Sequence, residues 1–432
     1  RRIDYGEAVI GPGFVDLDAL GDLDSTVLSF DNGDDHSTGR LWTEDYLKQG
    51  PTEAYTPEEG LFKYRYAFCQ LIRNGITTAM PITSMYYRAW AETYHEFAGV
   101  AGISGELGLR TYLGPCYMSG ITLADAQGNP VQHWDEPRGL AGLAEAERFI
   151  ANFDGAAGGL VRAMLAPDRI ETCTPPLLAR TAEVARETGV PLRLHCCQSA
   201  YEVDLVERLR GVSPYAWLEQ LGLLNRQAIL PHGMHLRGGD LERLRDSGAS
   251  IVHCPVVFAR DGEALRSFAR YRDFGIRIAM GTDTAPPDML DNLRQGLYLC
   301  RVADGGNTAS AADLYNAATL GGAAALGRDD IGRLSPGAQA DITVFDLGGF
   351  HLGPFIDPIK TMVLAGTGRD FTHSWIAGRP VMIDRAIPGT DLPAMQRQAQ
   401  RQFEKLKEHQ RRHAPGAPPA DQVFRPSFRR AN

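Results

Sequence analysis

The sequence predicts an α/β protein, and within that class a TIM (β/α)8 barrel followed by a small β module. Three observations carry this prediction. Eight apolar runs of strand character alternate with helix-period segments over residues 11–333, and eight is the number of parallel strands that closes. Several of these runs end in His or Asp, as barrel strands do where chemistry sits. After residue 333 the texture changes to short alternating segments broken by Gly/Pro turns. A doubly wound open sheet is the alternative, but no GxGxxG turn follows the first run.

Strands are expected at 13–19, 76–81, 110–115, 160–166, 191–197, 228–231, 250–255 and 275–280. Helices are expected at 57–73, 86–101, 140–152, 175–187, 201–209 with 215–221, 239–246 and 263–274. Residues 276–290, IRIAMGTDTAPPDML, organise the rest. An apolar run of Ile276, Ile278 and Met280 ends in Gly281-Thr282, presents Asp283 and passes through Pro286-Pro287 into an amphipathic segment beginning near Asp288. A strand end, a short loop and a helix are how barrels deliver a carboxylate to the rim, the other reading being Asp283 as a helix N-cap.

Residues 334–390 read as the β module, and residues 1–10 would add at most one strand, so further N-terminal strands are expected ahead of Arg1 in the native protein. Residues 391–432 comprise a charged amphipathic helix at 393–412 and a Pro/Arg-rich extended tail. Helix and tail carry too little apolar surface to fold alone and are expected to pack on a partner subunit, giving a homodimer or larger homo-oligomer.

At 44% apolar and 22% charged residues, the 432-residue chain has the composition of an ordinary globular enzyme. A net charge of −9 argues against a nucleic-acid binder. No run approaches the roughly 18 apolar residues of a membrane span, and no signal peptide opens the chain, so a cytoplasmic protein is expected. Seven cysteines, an odd number set partly in apolar runs, suggest buried reduced thiols.

Asp16 and Asp18, His195, His232, His253 and Asp283 fall at or just past the ends of predicted strands. In a barrel these ends converge on one mouth, and imidazoles with carboxylates make a site for zinc, iron or manganese. Asp22 and Asp24 read as solvated, and His235 as support for its loop. Asp35 and His36 would line the mouth, and Tyr117, Trp42 or Trp134 would stack on a planar substrate. Cys196 and Cys197 follow His195 directly, with side chains on opposite faces.

Ordered motifs then bring a family into view. They are Pro12-Gly13-Phe14-Val15, Asn74-Gly75-Ile76-Thr77-Thr78, Leu194-His195, Pro231-His232-Gly233-Met234-His235-Leu236, His253-Cys254-Pro255, Gly281-Thr282-Asp283-Thr284 and Pro336-Gly337-Ala338-Gln339-Ala340-Asp341. Together they resemble the amidohydrolase superfamily, and within it the aminohydrolases and chlorohydrolases acting on s-triazines, purines and related heterocycles. The resemblance implies a TIM barrel carrying a small β-sandwich built from both chain ends. It divides the chain into a sandwich remnant at 1–10, a barrel at 11–333, sandwich strands at 334–390 and the C-terminal helix and tail at 391–432.

The family holds one divalent ion between a strand 1 His-x-His, the strand 5 His and the strand 8 Asp. Here Asp18 and Leu20 stand at the two strand 1 positions, so the implied ligands are Asp18, His195 and Asp283. By resemblance His232 would hydrogen-bond the attacking water and Asp283 would take its proton. Gln198 replaces the family's proton-shuttling Glu, and as an amide it only orients substrate. His253 and His36 complete the substrate-binding set. Zinc is the family's metal, while the carboxylate of Asp18 tilts the site toward iron or manganese.

The activity implied is hydrolysis of a C–N bond, removing an amino or amine group from a small nitrogen-rich heterocyclic or amidine-type compound with a water that the ion activates. The alternatives are altered chemistry, such as dehalogenation or a lyase step, and a catalytically inactive ligand-binding member.

Overall fold

The computed structural model describes residues 3–23, 42–43, 47–48, 54–82, 92–125, 127, 129–260, 262–265, 267–413 and 428. The chain opens with β1 (Ala8–Pro12) and enters a parallel sheet of β2 (Phe14–Leu20), β3 (Ile76–Ile82), β4 (Arg110–Leu113) and β5 (Val161–Ala163), paired in that order. A second parallel sheet runs through β6 (Leu192–Arg193), β7 (Ala228–Pro231), β8 (Ser250–His253) and β9 (Arg277–Met280). The sheets meet at two places. Leu165, just past β5, bridges Leu192 in parallel and accepts from the Arg193 amide at 2.9 Å. Just past β9, the Asp283 amide donates to the Asp18 carbonyl at 2.7 Å.

Helices cover one face of these strands. They include α1 (Pro57–Arg73), α2 (Tyr94–Leu107), α3 (Glu136–Phe153), α4 (Pro175–Thr188), α5 (Ala200–Arg210), α6 (Pro214–Gln220), α7 (Asp240–Ser247), α8 (Phe268–Asp273) and α9 (Met289–Asp304). Strand side chains alternate accordingly. Ile76, Leu113, Leu192, Leu230, Ile251 and Met280 pack with Phe68, Phe97, Phe149 and Leu178 of the helices. Val15, Leu17, Met80, Tyr112, Ile229, Val252, Cys254 and Ala279 form a second, inner cluster. Apolar residues on both faces are what parallel strands sandwiched between two layers require.

Several boundaries differ from the sequence expectation for local reasons. The strand foreseen at 160–166 divides, leaving a two-residue strand Ala166–Pro167 paired with Cys116–Tyr117. The ladder at 191–197 stops at Arg193, and His195 and Cys196 make only isolated bridges, to Arg169 and His232, before Cys197 turns to φ 60°. Helix α2 starts at its Thr93 cap rather than at 86 and runs to a left-handed Gly108, residues 86–91 lying outside the described residues. A hairpin of Gly120–Ala124 with Pro130–Trp134 was not foreseen.

The chain ends meet in an antiparallel sheet of β1, β10 (Ile342–Asp346), β11 (Phe371–Ile376) and β12 (Arg379–Met382), in that order. Asp341 anchors it. Its carboxylate is ion-paired to Arg110 of β4 and accepts from the Ala377 amide at 2.8 Å, while its carbonyl accepts from the Gly13 amide at 3.2 Å. The Pro-Gly-Ala-Gln-Ala-Asp motif therefore ties the small sheet to the strands.

The last helix, α10 (Leu392–His413), corrects one expectation. It packs on α1 of its own chain: Tyr66 donates to Gln396 at 2.5 Å, Lys405 pairs with Glu59 at 2.5 Å, and Leu406 is buried with Ala54 and Tyr55. Part of its apolar stripe is thus covered within the subunit; the tail expected to pack with it lies, but for Phe428, outside the described residues. Among the described residues no helix is long and apolar enough to cross a membrane.

Candidate metal centre and active site

The site is built on strand ends that aim polar side chains into one buried space. Irregular register between Asp16 and Ala19 of β2 lets two nearby carboxylates serve different neighbours. Asp16 turns to β9, accepting from the Thr282 amide at 3.0 Å and its hydroxyl at 2.6 Å, and burial lifts its pKa to about 6. Asp18 is fully buried, with Oδ1 3.4 Å from His195 Nε2 and Oδ2 4.0 Å from His232 Nε2. Burial works to raise the Asp18 pKa, but His195, His232 and Arg193 together hold it at about 2. At 3.4 Å the contact is long for a hydrogen bond, and Oδ1 is left without one.

His195 shares a face of its strand with Arg193, whose guanidinium donates to the Met80 carbonyl at 3.0 Å. Its Nδ1 lies 2.7 Å from the Asp168 carbonyl. That contact makes Nδ1 the protonated nitrogen and leaves the Nε2 lone pair directed at Asp18, the tautomer a metal ligand requires. Burial opposes charging of the imidazole, yet Asp18 outweighs it and raises the His195 pKa. His232 stacks on His195 with centroids 5.2 Å apart, meets the edge of Phe258 at 4.7 Å and has no hydrogen bond at Nδ1. Burial lowers its pKa to about 3, so it is a neutral imidazole at neutral pH.

Asp283 follows β9 at φ 44°, with Oδ2 4.0 Å from His232 Nε2. Asp288, not Asp283, caps α9, accepting from the Leu290 and Asp291 amides. Cys197, His232 and Asp283 all hold positive φ without being glycine, a clustering of backbone strain at one locus. Gly281 lets this strand end come close: a Cβ there would lie 2.7 Å from Asp18 Cβ and 2.9 Å from Cys254 Sγ.

The donor set fits a divalent ion. A buried Asp18 oxygen lacks a hydrogen bond and His195 presents a lone pair; among the described residues the group with ligand atoms within 4.8 Å of one another is Asp18, His232 and Cys254, while of the other predicted ligands His195 comes to 3.4 Å of Asp18 and Asp283 to 4.0 Å of His232.

Other candidates fall elsewhere. His253 faces the helix layer, its Nε2 against Gly296 of α9 and its ring 6.3 Å from Phe268, because Cys254 takes the inner face next to it; burial lowers its pKa to about 4. Tyr117 is core, bonded to Thr181 at 3.1 Å, and Trp134 packs on Gly120 of the hairpin. Asp22, expected in solvent, is buried with Lys63 at 3.8 Å. His235 does hold its loop, 3.3 Å from Glu263. The Gln198 backbone amide donates to Glu202 at 3.0 Å where α5 begins. His36, Asp24 and Asp35 lie outside the described residues, as does the side chain of Trp42.

Sequence reasoning missed the stretch after Pro167. Arg169 bridges His195, and the Ile170 amide donates to the His195 carbonyl at 3.1 Å. Glu171 is buried with Oε2 unbonded, and burial raises its pKa to about 7 against the pull of Arg169. Burial and Glu171 push Glu202 well above the carboxylate range as well. The available signal was three charges in the four residues 168–171 directly after a strand.

The amidohydrolase family model matches residues 34–381, and the chain belongs to that family. A 5-methylthioadenosine/S-adenosylhomocysteine deaminase of Natronomonas pharaonis is 31% identical over 94% of this chain and 89% of its own length. An 8-oxoguanine deaminase of Pseudomonas aeruginosa is 30% identical over 79% of this chain and 75% of its own. Among solved structures, an adenosine deaminase from Xanthomonas campestris with bound zinc superposes with TM-score 0.76 at 24% identity, covering 93% of this chain and 87% of that one. At that identity the likeness speaks for the fold.

Proposed function

We propose that the chain is a metal-dependent aminohydrolase that removes an amino group by hydrolysis from a small aminated nitrogen heterocycle of the purine class. One observation carries this reading: His195, oriented by the Asp168 carbonyl, aims Nε2 at Asp18 beside Asp283, all at strand ends. The relatives named as deaminases support the choice of leaving group. The two sheet junctions support a closed (β/α)8 barrel over 11–333. The small sheet supports the sandwich at 1–10 and 334–390, with 391–432 as an appended helix and tail.

Asp18, His195 and Asp283 would hold one divalent ion, most simply zinc, which when bound activates water and polarises the carbon under attack. His232, neutral and fixed against Phe258, hydrogen-bonds and orients the water. Asp283 takes the water's proton. Gln198 orients the heterocycle by its side-chain amide, and Glu171, buried just past the Arg169–His195 bridge with burial raising its pKa to about 7, would supply the proton that the departing amine needs and Gln198 cannot give.

Ammonia release from a panel of aminated purines and pyrimidines tests this. Activity on at least one, falling about 10²- to 10⁴-fold in Asp283→Asn, is the expected result; no ammonia from any member overturns it. The amide at Gln198 favours one second reading, dehalogenation, since halide leaves without a proton. Halide release without ammonia release from the matching halogenated compounds would establish it.

A further inference from the structure

Cys254 lies on the inner face of the strands, with Sγ 3.5 Å from Asp18 Oδ2. The thiol is 2% exposed and donates to Asp18. Two further observations point at the same space. Asp18 Oδ1 is buried and without a hydrogen bond, and buried polar atoms are rarely left so. Gly281 supplies the absence of a side chain beside Asp18 and Cys254 that a Cβ would fill.

Leu20, at the second strand 1 position, has no donor atom and is buried at the end of β2, opposite Ile82. The residues so far assigned to the ion thus number one fewer than a four-ligand protein set.

We propose that Cys254 is a thiolate ligand of the ion held by Asp18, His195 and Asp283, filling the place of the missing imidazole. The inference rests on the metal-dependent reading above. Binding breaks the S–H bond, forms the S–metal bond and releases the proton to solvent, as metal-bound thiols do. It also reverses the tilt that Asp18 alone gives, because a thiolate selects zinc over manganese.

A second thiol cluster shows what a false candidate looks like. Cys196, Cys197 and Glu202 also bring ligand atoms within 4.8 Å. Both Glu202 oxygens, however, are occupied by the Cys197 and Gln198 amides.

The test is cobalt(II) substitution of the full chain. A near-ultraviolet thiolate-to-cobalt charge-transfer band is expected in the wild type, lost in Cys254→Ser while the visible ligand-field bands remain. Zinc X-ray absorption of the wild type, which needs no variant to fold, should show one sulfur at about 2.3 Å beside nitrogen and oxygen at about 2.0–2.2 Å. Bound metal with only the nitrogen and oxygen shell and no charge-transfer band overturns the ligand role of Cys254 and leaves the aminohydrolase standing. A wild type that binds neither metal overturns both.

Discussion

The backbone amide of Asp283 donates to the backbone carbonyl of Asp18 at 2.7 Å, so two carboxylates 265 positions apart in sequence are pinned main chain to main chain. Their spacing is set by the backbone and not by the side chains. Anything that wedges the two strand ends apart should disturb the site before it disturbs the fold. Gly281→Ala, whose Cβ would sit 2.7 Å from Asp18 Cβ, is therefore expected to reduce metal occupancy and turnover at least tenfold with a small change in Tm. Equal loss of both, or of Tm alone, contradicts this.

Metal content gives a second check. The wild-type protein should purify with close to one divalent ion per chain, and His195→Ala should lose it, because so small a ligand set compensates poorly for one lost member. Elemental analysis finding undiminished metal in that variant removes His195 from the site.

The proton supply can be tested by moving it. Glu171→Gln should lower kcat for ammonia release by about 10²-fold, and adding Gln198→Glu should restore much of it by putting the acid back in the family's position. A double variant no faster than Glu171→Gln alone would remove Glu171 from the proton path.

Burial of the same carboxyl has a signature in stability. Its folded-state pKa, about 7, lies above its ordinary value of 4.5, so the folded protein holds a proton that the unfolded chain releases. Stability from this group is full below pH 4.5 and is lost as pH rises toward 7. Denaturant titrations should show a decline across that window, shallower in Glu171→Gln. An unchanged slope would show that Glu171 is ionised in the native protein.

The candidate ligand strand ends were legible because each is a largely apolar run that carries an Asp or His at or just past its end, a pattern visible in the sequence alone. What sequence could not fix was which of two neighbours faces inward. His253 and Cys254 differ by one position, and a one-residue change of register exchanges the faces; the imidazole was the chemically conspicuous choice and the thiol took the inner face. Arg169 and Glu171 were passed over because the chain there has no period to read, only an isolated bridge to His195. The amphipathic stripe of α10 was visible, but not whether its cover would come from α1 or from another subunit.

Assembly remains a proposal of ours on different grounds. Phe350 and Ile356, in the segment after β10, stand fully exposed, and a homodimer or larger assembly would cover them. Light scattering at micromolar concentration should report more than one chain, reduced by Phe350→Ser with Ile356→Ser; a monomeric wild type contradicts it.

The Arg110 and Asp341 pair sets a limit on how this molecule can be divided. Both groups are almost fully buried, one in the catalytic strands and one in the terminal sheet. Removing everything after residue 333 would take Asp341 away and leave the Arg110 guanidinium unpaired; where such a group stays buried, that loss costs on the order of 3–5 kcal/mol, a large part of a domain's whole stability. The border between the parallel strands and the terminal sheet is thus a description of architecture and not a cleavage line: a shortened chain would lose the partner of Arg110 along with the sheet.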